Sequence, residues 1–361
     1  MPGYGRLLTS AAVRGFPGAA PGLTELLDAL PGLAGRVADV TGSAGGGALA
    51  AAAEEARMHV LEPSYAGWRA ARERFAQQPQ VDVAVGLPWE LGAGDHDAVL
   101  LLPPTDRGND RVRAELAAAA RALRSTGVAY AAMHKDQGGR RYERDAGAFF
   151  AEVSVVRRSR GWRVVRLAGP REDGGDGATP WRRFEALGRS WWALPGVFAA
   201  RGLDLGSGVL LEALATLGEA PLAGAAALDL GCGTGVLSHA ARAAGASSVV
   251  ALDDDLAAVA SARRNLADDA VRVLHSDLDA ELASDERFDA VVVNPPFHVG
   301  KQVRLEVSRA FLAAARARLR DGGVAIVVAN QALPYERELA SWRSTEVLLE
   351  ARGFKVLRAW R

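Results

Sequence analysis

Two motifs occur twice in this chain of 361 residues, in the same order and at nearly the same separation. DVTGSAG at 39–45 matches DLGCGTG at 229–235, an offset of 190 residues. DAVLLLPPTDRG at 97–108 matches DAVVVNPPFHVG at 289–300, an offset of 192 residues. Because both matches fall at predicted strand ends, they predict a duplicated α/β domain. Chance likeness between two alanine-rich α/β segments is the alternative.

Length and composition allow two such domains. A chain of this size with 49% hydrophobic residues can bury two cores, whereas a single core rarely grows so large. The segment EDGGDGAT at 172–179 has no apolar periodicity and predicts a solvated connection. We therefore expect a first domain over 1–171, a connecting segment over 172–197 and a second domain over 198–361.

From residue 225 onward, short apolar runs alternate with helical stretches. The predicted strands are 225–230, 248–253, 271–275, 290–293 and 324–329, followed by a terminal pair at 345–350 and 354–360. This alternation is typical of a parallel sheet with helices on both faces. The terminal pair, separated by a tight turn, predicts antiparallel strands added to that sheet. The expected fold is therefore α/β and Rossmann-like.

Charge, cysteine content and hydropathy limit the possible cellular locations and binding partners of the protein. The formal net charge is zero, which argues against bulk electrostatic binding to nucleic acid but allows a local basic face. Cys232 is the single cysteine, so an internal disulfide is excluded. Residues 1–10 lack the apolar core of a secretory signal, and no run of about 18 to 20 apolar residues predicts a membrane span. We therefore expect a cytoplasmic protein.

The motif at 229–235 predicts a cofactor loop. A predicted strand ends at Asp229, and Gly231, Gly233 and Gly235 then let the backbone turn sharply and approach a ligand closely. A nucleotide-like cofactor fits this loop, and a glycine-rich turn without a ligand is the alternative. Val236 stands where the dinucleotide fingerprint has glycine, which argues against a nicotinamide dehydrogenase.

The next two predicted strands also end close to acidic residues. Asp253 is placed to accept hydrogen bonds from both ribose hydroxyls of a nucleotide. Asp277 would lie beside an adenine amino group, with the Leu278 amide nearby. Asp277 taken alone would be a cap or turn residue. Three acidic strand ends in this order favour a nucleotide site at one edge of the sheet.

The segment NPPF at 294–297 follows the fourth predicted strand. Its prolines lack amide donors and stiffen the turn, so the Asn294 side chain and the Pro295 carbonyl can present acceptors to a cleft. An exocyclic amino group fits these acceptors, because two hydrogen bonds orient its lone pair towards an electrophilic methyl group. Phe297 can stack on the base. A simple turn is the alternative, and this chemistry requires no metal.

The second half resembles one family over 198–360. The matching segments are GLDLGS at 202–207, LDLGCGTGVLS at 228–238, NPPFHVG at 294–300, and Asn330 followed by LPY at 333–335. They are similar to the catalytic domain of the ribosomal RNA small subunit methyltransferase C family, whose members methylate guanine N2 in 16S rRNA. The resemblance implies two tandem Rossmann-like class I methyltransferase domains, the N-terminal one degenerate, with S-adenosylmethionine as cofactor.

The acidic strand ends, the motifs and the resemblance together assign a role to each candidate residue. The residues expected to bind S-adenosylmethionine are Asp229, Gly231, Gly233, Gly235, Asp253, Asp277, Leu278 and Asn294. The expected catalytic set is Asn294, Pro295 and Phe297. Phe297 is expected to stack on the guanine. His298 is expected to contact the substrate, with a structural role as the alternative, and it distinguishes this motif from the NPPY of many adenine and glutamine methyltransferases.

The first half lacks the corresponding acceptor and ring. Leu102 occupies the position that matches Asn294, and Thr105 the position that matches Phe297. This half is therefore not expected to methylate.

Basic residues are concentrated in part of the first half. Between residues 107 and 171 there are fifteen Arg or Lys and six acidic residues. This excess, which includes Arg140, Arg141 and Arg144, predicts a surface that binds substrate RNA. Scattered solvated charges are the alternative.

Together these features predict a monomeric methyltransferase whose partner is 16S rRNA or the small ribosomal subunit. Two alternatives stay open. The first is a methyltransferase for another amino group, in 23S rRNA guanine, DNA adenine or protein glutamine. The second is a non-catalytic RNA-binding protein of ribosome assembly that keeps the fold.

Overall fold

The computed structural model describes residues 21–48, 56–171, 179–217, 222–267, 270–296, 298–299, 302–303 and 305–361. The chain forms two compact units that divide between Pro180 and Trp181. This division falls inside the segment 172–197 that the sequence analysis assigns to a connection.

The described part of the first unit contains a seven-stranded sheet. Its strands are β1 (Gly35–Val40), β2 (Ala56–Glu62), β3 (Val81–Val85), β4 (His96–Leu101), β5 (Leu123–His134), β6 (Phe150–Ser159) and β7 (Trp162–Pro170). Its helices are α1 (Pro21–Leu27), α2 (Tyr65–Arg74), α3 (Asn109–Ala122) and α4 (Gly139–Ala146). The strand order is β3-β2-β1-β4-β5-β7-β6, with β7 antiparallel to both of its neighbours.

The described part of the second unit contains a hairpin, a two-stranded ribbon and another seven-stranded sheet. Its strands are β8 (Arg182–Ala186), β9 (Arg189–Ala193), β10 (Ala226–Leu230), β11 (Ser248–Asp253), β12 (Val271–His275), β13 (Phe288–Val293), β14 (His298–Val299), β15 (Gln302–Val303), β16 (Leu319–Asn330), β17 (Ser344–Ala351) and β18 (Phe354–Trp360). Its helices are α5 (Leu205–Leu217), α6 (Val236–Ala243), α7 (Leu256–Asn265), α8 (Leu305–Arg318) and α9 (Tyr335–Glu338).

The large sheets of the two units have the same topology. The second follows the order β12-β11-β10-β13-β16-β18-β17, in which β18 is antiparallel to both neighbours and the other pairs are parallel. Position for position, this is the order of the first sheet. The predicted fold class of two tandem Rossmann-like domains is confirmed, including the antiparallel pair at the end of the chain.

Alternating side chains of the central strands supply two cores, one on each face of the second sheet. Leu228 and Leu230 of β10 belong to one core, together with Val291 of β13. Ala227 of β10 and Val292 of β13 belong to the other. A sheet buried on both faces leaves its strand ends as the accessible places. A ligand site is therefore expected at the carboxyl ends of the strands.

The hairpin β8–β9 lies within the predicted connecting segment. Its buried residues Phe184, Trp191 and Ala193 pack against Val236 of α6, so this part of the segment contributes to the second unit. These two strands were not predicted from the sequence, because the alternation of buried residues covers only Trp191 to Ala193.

Candidate functional site

The loop after β10 adopts the conformation that its glycines allow. Gly231, Gly233 and Gly235 have φ values of 83°, 56° and 90°, in the left-handed region. A Cβ atom at Gly235 would lie 2.7 Å from Leu266. At Gly233 the nearest heavy atom to such a Cβ would be the Phe198 carbonyl oxygen, at 4.0 Å. The loop is therefore packed at Gly235 but open at Gly233, where a ligand can approach the backbone.

Asp229 lies fully buried beneath this loop. Its Oδ2 accepts a hydrogen bond from the Ser238 hydroxyl at 2.5 Å. Its Oδ1 is also buried and has no hydrogen-bond partner among the described residues. Burial raises the pKa of Asp229 to about 6. A buried carboxylate oxygen without a partner is costly, so this atom fits a site that a hydrogen-bond donor of a ligand completes.

Asp253, at the end of β11, fastens the loop to the neighbouring strand. Its Oδ2 accepts a hydrogen bond from the Gly233 amide at 2.9 Å, and its Oδ1 accepts one from the Asp255 amide at 2.9 Å. Burial raises the pKa of Asp253 to about 7. Each carboxylate oxygen has a second lone pair, which keeps Asp253 compatible with the predicted ribose contacts.

Asp277 and Leu278 follow β12 at the same edge of the sheet. The Ser276 amide donates to the Asp253 carbonyl at 2.9 Å and so joins the third strand end to the second. Leu278 is buried and has a φ of 50°, an unusual conformation for a residue with a side chain. The structure thus brings Asp229, Asp253 and Asp277 to neighbouring strand ends, as the sequence predicts.

Asn294 follows β13 and is held from the other side of the site. Its Nδ2 donates to the Ser207 hydroxyl at 3.2 Å. Ser207 is buried in the first turn of α5, where the Asp204 carboxylate accepts its amide at 3.2 Å. Since an amide nitrogen only donates, Asn294 Oδ1 is the atom that can accept from a substrate, and the bond to Ser207 fixes its orientation. The contact with Ser207 was missed by the sequence analysis, although Ser207 lies in the matching GLDLGS segment.

The rest of the NPPF segment is only partly described. Pro295 is buried, and the carbonyl of the exposed Pro296 accepts a hydrogen bond from Ser308 at 3.0 Å. Phe297 lies outside the described residues. The backbone of His298 begins β14, but its side chain is outside the described part. The stacking and guanine contacts predicted for these two residues stay predictions.

Two exposed apolar side chains near the site were not predicted. Phe198 is 67% exposed and Leu205 62% exposed. The Phe198 carbonyl faces Gly233, and Leu205 begins the helix that holds Ser207. Exposed large apolar groups beside a polar cleft are typical of surfaces that a ligand covers.

In the matching loop of the first unit, backbone amides of the loop donate hydrogen bonds to the acidic residues at the strand ends. The Asp39 carboxylate, which matches Asp229, accepts from the Thr41 amide at 2.9 Å and the Ala48 amide at 2.9 Å, one at each oxygen. Glu62, at the end of β2, accepts from the Gly45 amide at 2.8 Å. Asp229 has one oxygen without a partner among the described residues, whereas both oxygens of the matching Asp39 accept hydrogen bonds. Leu102, at the position of Asn294, is buried and offers no side-chain acceptor.

The three predicted RNA-binding arginines lie on α4 of the first unit. All three side chains are exposed. Arg141 Nε lies 3.7 Å from Asp145 Oδ2. The opposite face of the helix is anchored by buried Tyr142. The structure groups these side chains on one short helix.

The described residues offer neither a metal site nor a membrane-spanning helix. No three His, Cys, Asp or Glu side chains among them are grouped so that they could hold a metal ion. None of their helices combines the length and the apolar character needed to cross a membrane.

Comparisons with known proteins agree with this geometry. Residues 189–358 match the family model described as the methyltransferase small domain. Over 190 residues the chain is 38% identical to the ribosomal RNA small subunit methyltransferase C of Erwinia tasmaniensis, covering 51% of this chain and 53% of that protein. The protein of the same name from Chromohalobacter salexigens is 38% identical over 182 residues, covering 50% and 54%. The match thus spans about half the length of each of these curated relatives.

A solved structure matches over almost the whole chain. It is the 16S rRNA N2 G1207 methyltransferase of T. thermophilus, in complex with AdoMet and guanosine. The two chains are 38% identical, the TM-score is 0.87, and the match covers 97% of this chain and 94% of the other. The match therefore includes both units, and the chain belongs to the ribosomal RNA small subunit methyltransferase C family.

Proposed function

We propose that the chain transfers a methyl group from S-adenosylmethionine to the exocyclic N2 of a guanine in 16S rRNA. The observation that carries this proposal is the pairing of two incomplete polar sites at one sheet edge. Asp229 Oδ1 lacks a donor among the described residues, and Asn294 Oδ1 is oriented as an acceptor by its bond to Ser207. The solved T. thermophilus relative, which contains AdoMet and guanosine, supports this assignment.

The proposed cofactor residues surround the glycine loop. Asp229 supplies the buried acceptor, the backbone at Gly233 leaves the approach open, and Asp253 supplies acceptors for the ribose hydroxyls. Asp277 and Leu278 would hold the adenine from the third strand end, while Gly231 and Gly235 shape the loop. When bound, S-adenosylmethionine supplies an electrophilic methyl group.

The proposed base residues orient the amino group. Asn294 Oδ1 and the Pro295 carbonyl accept its two hydrogens, which turns the nitrogen lone pair towards the methyl group. The bond from Asn294 Nδ2 to Ser207 fixes the amide before the substrate arrives, so less ordering is needed on binding. Phe297 would stack on the guanine and His298 would contact it.

Substitution of Asn294 tests this role. Asn294→Ala should lower turnover by on the order of a hundredfold or more, because an interaction made in the transition state is lost. Binding of S-adenosylmethionine, measured by calorimetry, should change little. Thr105→Ala, at the position of the first unit that matches Phe297, is the control and should keep wild-type turnover. A turnover of Asn294→Ala close to that of the wild type would contradict the proposal.

The cellular setting follows from the proposed substrate. Ribosomal RNA is a cytoplasmic substrate in bacteria, so we propose a cytoplasmic enzyme. We also propose that one chain is sufficient for activity, because the residues assigned to the cofactor and the base all lie in the second unit. Activity that stays proportional to enzyme concentration at high dilution would support the monomer.

A further inference from the structure

The end of β9 and the residues that follow it extend from the hairpin to a position beside the cofactor loop. We call residues 192–198 the strap. Leu194 and Val197 of the strap are buried, and its last residue, Phe198, places its carbonyl oxygen opposite Gly233. Its first two residues, Trp192 and Ala193, pair with β8, but the strap lies outside the large sheet. Its position relative to that sheet therefore depends on side-chain contacts.

Asn265, the last residue of α7, makes the most complete of these contacts. It is 3% exposed. Its Oδ1 accepts a hydrogen bond from the Trp192 amide at 2.8 Å, and its Nδ2 donates to the Trp192 carbonyl at 2.8 Å. The same Nδ2 donates to the Thr234 carbonyl at 2.9 Å. One buried amide therefore binds the strap with both ends and the loop with its nitrogen.

The contact with Thr234 is made inside the glycine loop. Thr234 stands between Gly233, whose amide is held by Asp253, and Gly235, which packs against Leu266. Left-handed glycines make this loop intrinsically mobile unless its polar groups are fixed. Asn265 fixes the carbonyl of Thr234, the residue next to Gly233.

A second contact offers a natural comparison. Ser261, one helical turn earlier on α7, accepts the Leu194 amide at 3.1 Å and donates to the Ala257 carbonyl at 2.6 Å. It therefore holds the same strap to the same helix. In the described contacts its hydroxyl does not bind the glycine loop.

We infer that Asn265 is a positioning residue for S-adenosylmethionine binding, which joins the strap to the glycine loop so that the two form one prearranged wall of the site. The inference rests on the proposed function. Asn265 acts through Thr234 and Trp192, and it leaves the base-binding residues Asn294 and Pro295 untouched. Its effect should therefore fall on cofactor binding and not on the methyl-transfer step.

Substitution of Asn265 separates these effects. Asn265→Ala should raise the Kd and the KM for S-adenosylmethionine roughly tenfold, because the loop must then be ordered when the cofactor binds. The kcat at saturating cofactor should stay within about twofold of the wild type. Asn265→Asp should not rescue the KM, because a carboxylate cannot donate to the Thr234 carbonyl. Ser261→Ala, the matched control, should lower thermal stability while leaving both constants unchanged.

Hydrogen exchange gives a second readout that needs no variant. Adding S-adenosylmethionine to the wild-type chain should slow exchange of the Trp192 amide together with that of Gly233, because Asn265 connects the two segments. Protection of Gly233 without Trp192, or equal cofactor constants for Asn265→Ala and the wild type, would overturn the inference and leave the proposed function standing. A wild-type chain that does not bind S-adenosylmethionine would overturn both.

Discussion

At the residue scale, the buried carboxyl group of Asp229 and the partly buried one of Asp253 stand apart in the second unit. Burial raises the pKa of Asp229 to about 6 and the pKa of Asp253 to about 7, well above ordinary aspartate. In the first unit, amides of its own loop occupy both oxygens of the matching Asp39. A site that holds two carboxylates in an unfavourable environment is suited to a ligand that brings hydrogen-bond donors.

These raised pKa values predict a pH dependence. Without cofactor, the folded chain holds these protons up to higher pH than the unfolded chain. The two groups therefore favour folding at low pH, and their contribution is lost as the pH rises from about 4 to about 7. In the proposed site the cofactor is held by the ionised acceptors. Its binding should therefore strengthen over pH 5.5 to 7, by up to roughly tenfold per pH unit for Asp253, and then level off.

Calorimetric titration across this range measures the effect. Asp253→Asn cannot ionise, so its cofactor affinity should be weaker at pH 8 and should vary less with pH than that of the wild type. Cofactor affinity of the wild-type chain that does not change between pH 5.5 and 8 would show that neither carboxylate takes part in binding.

At the element scale, α4 is the helix proposed to meet the RNA. Tyr142 fixes its inner face by donating to Asn109 Oδ1 at 2.6 Å, and Arg140 and Arg144 stand one turn apart on its exposed face. Arg141 is also exposed and shares Asp145 with Arg113. A short anchored helix with three exposed guanidinium groups can reach several phosphates without rearrangement.

Replacement of the three arginines tests this surface. Replacing Arg140, Arg141 and Arg144 with alanine should weaken binding to 16S rRNA. It should also make the slope of log affinity against log salt less steep by about 2, because fewer counterions are released from the RNA when fewer phosphates are contacted. The kcat at saturating RNA should be kept. Arg320→Ala removes an exposed arginine that pairs with Asp289 at 2.5 Å and serves as the control. An unchanged salt slope in the triple variant would place the RNA surface elsewhere.

At the scale of the whole molecule, sequence periodicity was sufficient to predict the fold. The buried strands of the second unit begin and end within a few residues of their predicted bounds, and the repeated motifs predicted the second sheet of the same topology. Strand ends meet at one edge in such a sheet, so Asp229 and Asp253 could be placed together before the structure was known.

Contacts between distant polar residues could not be predicted in the same way. Asn294 and Ser207 are 87 residues apart in the chain, and Asn265 and Trp192 are 73 apart. Such pairs leave no local sequence pattern, because the residues around a single serine or asparagine in a helix do not indicate whether its side chain faces solvent or a buried carbonyl. They depend on how the hairpin and helices pack, which only the three-dimensional structure shows.

The most direct test of the proposed function is to map the methylated nucleoside. The chain is incubated with labelled S-adenosylmethionine and either unmodified small ribosomal subunits or free rRNAs, and the RNA is digested and analysed by mass spectrometry. Label in N2-methylguanosine at one position of 16S rRNA is the predicted result. Label confined to 23S rRNA, DNA or protein, or no label from a chain that binds the cofactor, would contradict it.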